Sequence, residues 1–312
     1  MANHKSKIGG QALIEGIMMR GIDKISMSVR LPNGEIENET WGAVSLKEKK
    51  WFVKFPLVRG VFNLVESMIL GYKCLMKSAD KAGLDDFSDD AEPSKFDAWM
   101  QKVFGDKLMG IIMMLSSAIA ILISIVLFMY LPSLAATWLG KLADLGFFRN
   151  IIEGAIKISI FITYLYFVSK IKDIQRVFQY HGAEHKTIAC YEAGDELTVE
   201  NVKKYTRFHP RCGTSFLIIV LILSILVFSV IPWGSALFRT LLKLLLMPVV
   251  VGLSYEIIRL AGRYDNFLTR AVSCPGIALQ RLTTREPDDS QLEVAISAIT
   301  PVIPEDKADD KW

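Results

Sequence analysis

Two histidines and a glutamate stand within five residues at His181-Gly-Ala-Glu-His185, inside the stretch Gln179-Tyr-His-Gly-Ala-Glu-His-Lys186. On a helix, residues four apart lie one above the other, so both imidazoles share a face. A second cluster follows at Arg207-Phe-His-Pro-Arg-Cys-Gly-Thr-Ser215, which adds His209 and Cys212. Three of the chain's four histidines fall in these two motifs, and the fourth, His4, lies in the N-terminal tail. Imidazole and thiolate are donor types that hold Zn²⁺, and a neighbouring carboxylate such as Glu184 can act as a general base. A catalytic zinc usually has three protein ligands and an open position. His181 and His185 supply two, and Cys212, His209, Glu192 and Glu256 are candidates for the third.

The same residue types also serve quieter ends. His181 and His185 fit a pair of interfacial hydrogen-bonding residues, and His-Pro-Arg-Cys-Gly fits a tight turn ahead of an apolar segment. Gly182 weakens any helix that carries the histidines. Cys212 beside Arg211 is also a candidate nucleophile, and it could form a Cys–His pair with His209. The spacing His-x-x-Glu-His matches the pattern of inverted zinc peptidases. Carboxylates are not grouped as a two-metal phosphatase requires. The candidate set is therefore Glu184 as catalytic base and His181, His185, His209 and Cys212 as ligands of a divalent metal, Zn²⁺ first. Glu15, Arg20, Arg59, Glu192, Arg211 and Glu256 are further polar candidates.

The elements that must position these residues are mostly apolar helices. The chain has 312 residues, 51% of them hydrophobic, with a net charge of +3. The apolar residues come in blocks, as a lipid bilayer demands. The small net charge and the lack of a basic stripe argue against nucleic acid. The four cysteines are scattered and suggest no disulfide framework. Glu15, Arg20 and Asp23 interrupt the first 25 residues, so no signal peptide is expected.

The expected fold is a mainly α-helical polytopic membrane protein of about four transmembrane helices, with a small N-terminal β-hairpin element. Residues 1–56 read as a cytoplasmic β-rich region. Within it, Gly9 to Gly21 is either a turn-rich strand pair or a segment whose glycines let Gln11, Glu15 and Arg20 face a site. Asn33-Gly34 between two alternating runs marks a hairpin over 25–41. Residues 57–79 read as an amphipathic or buried helix after Pro56, and 80–107 as an acidic linker. The spans are expected at 108–131, ended by Pro132, then 151–168, 216–232 and 241–261, the last kinked at Pro248. Glu153 and Lys157 read as an i,i+4 pair. The His-motif region fills 169–215, and 262–312 reads as a polar, partly disordered cytoplasmic tail with a short apolar helix or strand at Leu292–Ile299.

Lys and Arg concentrate in 170–215 and are few in 132–150 and 232–240. The positive-inside rule then places both termini and the histidine motifs in the cytoplasm. Glu256 is an ionisable residue within a span, either functional or paired with Arg259. A straight helix from the second span would carry His185 about 20 Å past the span's end. The motifs therefore meet only through a bend near Lys170–Asp173 or a return helix after Thr198, a good N-cap.

Six ordered stretches, residues 9–20, 56–60, 181–186, 209–216, 254–256 and 275–287, together resemble the YqhQ family of bacterial membrane proteins. The family is a domain of unknown function that is also labelled a predicted metal-dependent enzyme. The resemblance implies a multi-span protein of the bacterial inner membrane with the histidine motifs as metal ligands, and it implies no substrate. Two functions are carried forward: a metal-dependent hydrolase at the membrane surface, and a non-enzymatic assembly, quality-control or scaffold factor for other membrane proteins. The sequence sets no oligomeric state.

Overall fold

A computed structural model describes residues 5–43, 53, 55–83, 108–142, 148–232, 234–264, 266–305 and 310. His4, most of the basic stretch over 44–56 and most of the expected linker over 80–107 lie outside the described residues. The chain divides into two compact units: Met1–Leu84 with Leu165–Ser224 and Pro248–Trp312, and Asp85–Tyr164 with Ile225–Met247.

The first unit is built on a four-stranded antiparallel sheet, β1 (Gly9–Leu13), β2 (Gly16–Arg20), β3 (Lys24–Arg30) and β4 (Ile36–Gly42), in the order β1-β2-β3-β4. The Asn33-Gly34 hairpin forms as expected, with Gly34 at φ 89° and the Asn33 side chain accepting from Glu35 N–H at 3.0 Å. The glycine-rich N-terminal stretch forms a second hairpin, closed by Ile14 and Glu15, with Glu15 at φ 49°. Side chains alternate between faces. Ile17 and Met19 enter one apolar cluster, while Leu13, Met18, Ile25, Met27 and Val29 enter another with Cys74. Both faces of the sheet are covered, which is why Ile17-Met18-Met19 is continuously apolar.

Helix α1 (Val58–Lys81) covers the Cys74 face. Arg20 bonds Glu66 at 3.0 Å, and Gly71 gives room to the Gln11 side chain. Further along the chain lie α2 (Leu108–Ile125), α3 (Leu131–Leu142) and α4 (Arg149–Val168), followed by α5 (Lys172–Ala193) and α6 (Val199–Lys203). After these come α7 (Gly213–Phe228), α8 (Ala236–Arg263), α9 (Phe267–Thr283) and α10 (Asp289–Ile299). The opposite face of the sheet takes α5 and α10, whose Tyr180, Ala183, Ile188, Leu292, Ala295 and Ala298 are buried together.

The polar, partly disordered tail expected over 262–312 is largely helical, and the short apolar helix or strand expected at Leu292–Ile299 is α10. The residues of that tail form α9 and α10, and α10 completes the core. Asn266 with Thr269 and Asp288 with Gln291 make capping boxes that start the two helices. The expected break before the histidines is present, because α4 ends at Val168 and Ile171 is extended before α5. Gly194, at φ 84°, ends α5, and Thr198 caps α6 by accepting from Asn201 N–H.

In the second unit Pro132 does not end the helix. α2 passes into α3 through a π-turn at Val126–Tyr130, where Leu131 N–H bonds Val126 O, five residues back. The wider turn suits a proline, which offers no N–H and crowds the preceding carbonyls. Glu153 has partners beyond its own helix. It bonds Arg239 at 2.8 Å and also Lys243, all three deeply buried. Three helical stretches are long and apolar enough to cross a membrane: Met114–Leu142, Arg149–Val168 and Ala236–Arg263. The span expected at 216–232 corresponds to the apolar but shorter α7, of 16 residues.

Candidate metal centre

α5 carries His181 and His185 one turn apart, and their ring centroids lie 4.4 Å apart. The helix is intact through Gly182 because a side chain there is excluded. A Cβ at Gly182 would run into the carbonyl oxygen of Arg285. Arg285 N–H in turn bonds Phe178 O at 2.9 Å, so the strand of chain leaving α9 lies directly on α5.

That arrangement fixes the first imidazole. Thr283 O, one of the carbonyls that the end of α9 leaves without a helical partner, lies 2.8 Å from His181 Nδ1. Arg207 O lies 2.6 Å from His185 Nδ1. A carbonyl can only accept, so each Nδ1 carries the proton and each Nε2 keeps its lone pair. His181 Nε2 lies 3.1 Å from Cys212 Sγ. His185 Nε2 is buried and has no hydrogen-bond partner among the described residues. The three ligand atoms of His181, His185 and Cys212 lie within 4.8 Å of one another. Burial holds His185 below the ordinary imidazole range, which keeps the ring neutral.

Cys212 stands immediately before α7, and its sulfur accepts from Thr214 N–H at 3.4 Å and Thr214 Oγ1 at 3.3 Å. The loop that delivers it is clamped by Gln280. His209 N–H bonds Gln280 Oε1 at 2.8 Å, and Gln280 Nε2 bonds His209 O at 2.7 Å. Two oriented imidazoles, one sulfur and a buried Nε2 without a partner fit a thiophilic divalent cation such as Zn²⁺.

Glu184 points into the same cavity, of about 650 Å³, as His181, His185 and Cys212. Burial raises its pKa, with the His181 charge and the nearby Gly10 backbone pulling the other way. Gly10 permits this approach, since a Cβ there would lie 2.9 Å from the Glu184 carboxyl carbon.

The remaining candidates are placed elsewhere. The two nitrogens of His209 face Arg211 N–H at 3.4 Å and Glu192 Oε2 at 3.6 Å, which leaves it beside the cluster. Glu192 also bonds Arg211 and accepts Ser6 N–H at 2.7 Å. Burial alone would raise its pKa, but His209 and Arg211 hold it below the usual range. Glu15 pairs with Arg176 and accepts from Tyr180 at 3.2 Å. Glu256 pairs with Arg59 through both carboxylate oxygens, so its hydrogen-bonded partner is not Arg259. Arg20, as noted, pairs with Glu66. Sequence reasoning missed Thr283, Arg207, Gln280 and Thr214. Three of these act largely through backbone atoms, which leave no residue-type signal. Gln280 is fully buried in a segment that reads as a tail.

A family profile described as "Protein of unknown function (DUF1385)" matches residues 55–305. A protein of Bacillus subtilis (strain 168) described as "Uncharacterized protein YqhQ" is 33% identical over 310 residues, 97% of this chain and 95% of that protein. No solved structure matches.

Proposed function

Given that this chain belongs to the DUF1385 family, with YqhQ as a relative, we propose that it is a membrane protein with a cytoplasmic-facing Zn²⁺ site. His181, His185 and Cys212 hold the ion, and the site carries out hydrolysis at the membrane surface. The observation that carries this reading is the orientation of the imidazoles. Both Nδ1–H groups are committed to backbone carbonyls, and His185 Nε2 is buried near Cys212 with no hydrogen-bond partner among the described residues.

A zinc ion with three protein ligands supplies a Lewis acid and an open position for a substrate oxygen. The chain's own residues do the rest. Thr283 O and Arg207 O keep the rings in one tautomer. Gln280 holds the loop that carries Cys212. Glu184 takes a proton from water at a carboxylate oxygen and passes it to the leaving group. Gly10, with no side chain, leaves room for the carboxylate.

The lysine and arginine distribution supports a cytoplasmic site with both termini on that side. α7, about 24 Å long at 1.5 Å per residue, then serves as the fourth crossing. The test uses cobalt in place of zinc. Co²⁺-loaded protein shows a thiolate-to-cobalt absorption band that disappears in Cys212→Ser and persists in Glu184→Gln. A spectrum unchanged by Cys212→Ser contradicts the ligand set.

A second reading, an assembly or scaffold factor for other membrane proteins, is favoured by α1. Its Val65, Met68, Ile69 and Tyr72 are exposed. Co-purification of a stoichiometric membrane protein, lost on α1 substitutions and indifferent to Glu184→Gln, supports that reading over the hydrolase.

A further inference from the structure

The cavity that holds the histidines is also bounded by a strand edge. β1 is the first strand in the sheet order, so β2 is its only strand neighbour among the described residues. Leu13 and Gly16 close a two-residue hairpin, so they form a hydrogen-bonded pair. By alternation Gln11–Met18 is the next such pair, and Gly10 and Ala12 direct their N–H and C=O groups away from β2. The other edge of β2 obeys the same alternation, since Arg30 N–H bonds Glu15 O at 2.8 Å and so turns Gly16 and Met18 toward β1. Gly10 O, Ala12 N–H and Ala12 O have no partner among the described residues. Gly10 and Ala12 both line the cavity.

The cavity has an apolar wall on each side of this edge. Val177, Phe178 and Ile188 of α5 stand on one side, and Leu64 and Met68 of α1 on the other. An added strand sends successive side chains alternately to two sides, which is the division these walls provide. The cavity volume of about 650 Å³ lies within the range of built ligand sites. A strand edge offers donors and acceptors in the spacing of another extended backbone.

We propose that the ligand of this cavity is an extended, apolar polypeptide segment that adds to the sheet at the Gly10–Ala12 edge beside the His181–His185–Cys212 cluster. This names the substrate class of the hydrolytic reading and rests on it for turnover, but not for binding. An acyl-chain lipid would use the same apolar walls without the backbone donors and acceptors, and this separates the two ligand classes.

The experiment measures binding of a fluorescein-labelled library of decapeptides rich in Leu, Val, Ala and Thr to the detergent-purified full chain. The same library N-methylated at every second amide serves as comparison, in both registers. The expected result is at least a tenfold loss of affinity on N-methylation in one register. Ala12→Pro removes one edge N–H while leaving the β1–β2 ladder intact, as edge positions allow. It should give a similar loss, whereas Ala12→Gly should not. If Ala12→Pro does not fold, the N-methyl comparison on the natural chain decides alone. Equal binding of both N-methylated registers, or displacement of the library by phosphatidylglycerol vesicles with no effect of N-methylation, overturns the proposal. Because binding is read with and without Zn²⁺, peptide capture by a chain that takes up no metal would spare this proposal and remove the hydrolase. Metal uptake without peptide capture would do the reverse.

Discussion

Gly182 separates the two histidines, and the carbonyl of Arg285 occupies the space where a side chain would sit. Gly182→Ala therefore should raise intrinsic helix propensity by about 1 kcal/mol and still destabilise the protein, because the backbone at 283–285 must move. The measurement is thermal unfolding in detergent together with metal content, and both should fall. Glu192 makes a pH prediction. Its pKa is depressed in the folded chain, so its contribution is present above the unfolded carboxylate value, about 4.3, and is lost as pH falls through the lower folded value. Glu192→Gln leaves Arg211 without its carboxylate and should cost roughly 3 kcal/mol at pH 7, with the gap to the natural chain closing as pH falls below about 4. A gap that stays constant with pH would mean that the carboxylate's charge does not matter. At this scale the ligating side chains were legible because histidine and cysteine are rare and here are concentrated. Their orienting partners were not, because Thr283 and Arg207 act through carbonyls that every residue possesses.

At the scale of elements, the β1–β4 sheet was half visible. Asn33-Gly34 announced one hairpin, while the Gly9–Gly21 stretch gave two readings. Both faces of β2 are buried, so Ile17-Met18-Met19 shows no alternation to read. At the C-terminus a short apolar helix or strand was legible over Leu292–Ile299, while α9 and the full extent of α10 were not. α10 is 11 residues long and buried on several sides, so no clean amphipathic period marks it. Its capping box predicts that Asp288→Ala lowers stability by about 1 kcal/mol, read as a shift in the unfolding temperature. Ending the chain before Asp288 should do far more, since Leu292, Ala295 and Ala298 leave the cluster that backs α5. The truncated chain should lose protease resistance around α5. Retained resistance would return 288–312 to the status of a tail.

At the scale of the whole molecule, blocks of apolar sequence located the long helices, and Pro132 misled because a π-turn absorbs it. The number of crossings fixes a topological parity. Four crossings place both termini on one side, and three place them on opposite sides. Reporter fusions near residue 10 and after residue 312 should both report the cytoplasm, whereas a split result would remove α7 as a crossing. The central claim, a metal held by His181, His185 and Cys212, is tested most directly by elemental analysis of the purified full chain beside a His181→Ala/His185→Ala double variant. The account predicts about one Zn²⁺ per natural chain and none in the double variant. A natural chain that holds no divalent metal even after Zn²⁺ is supplied, or a double variant that holds as much, contradicts it.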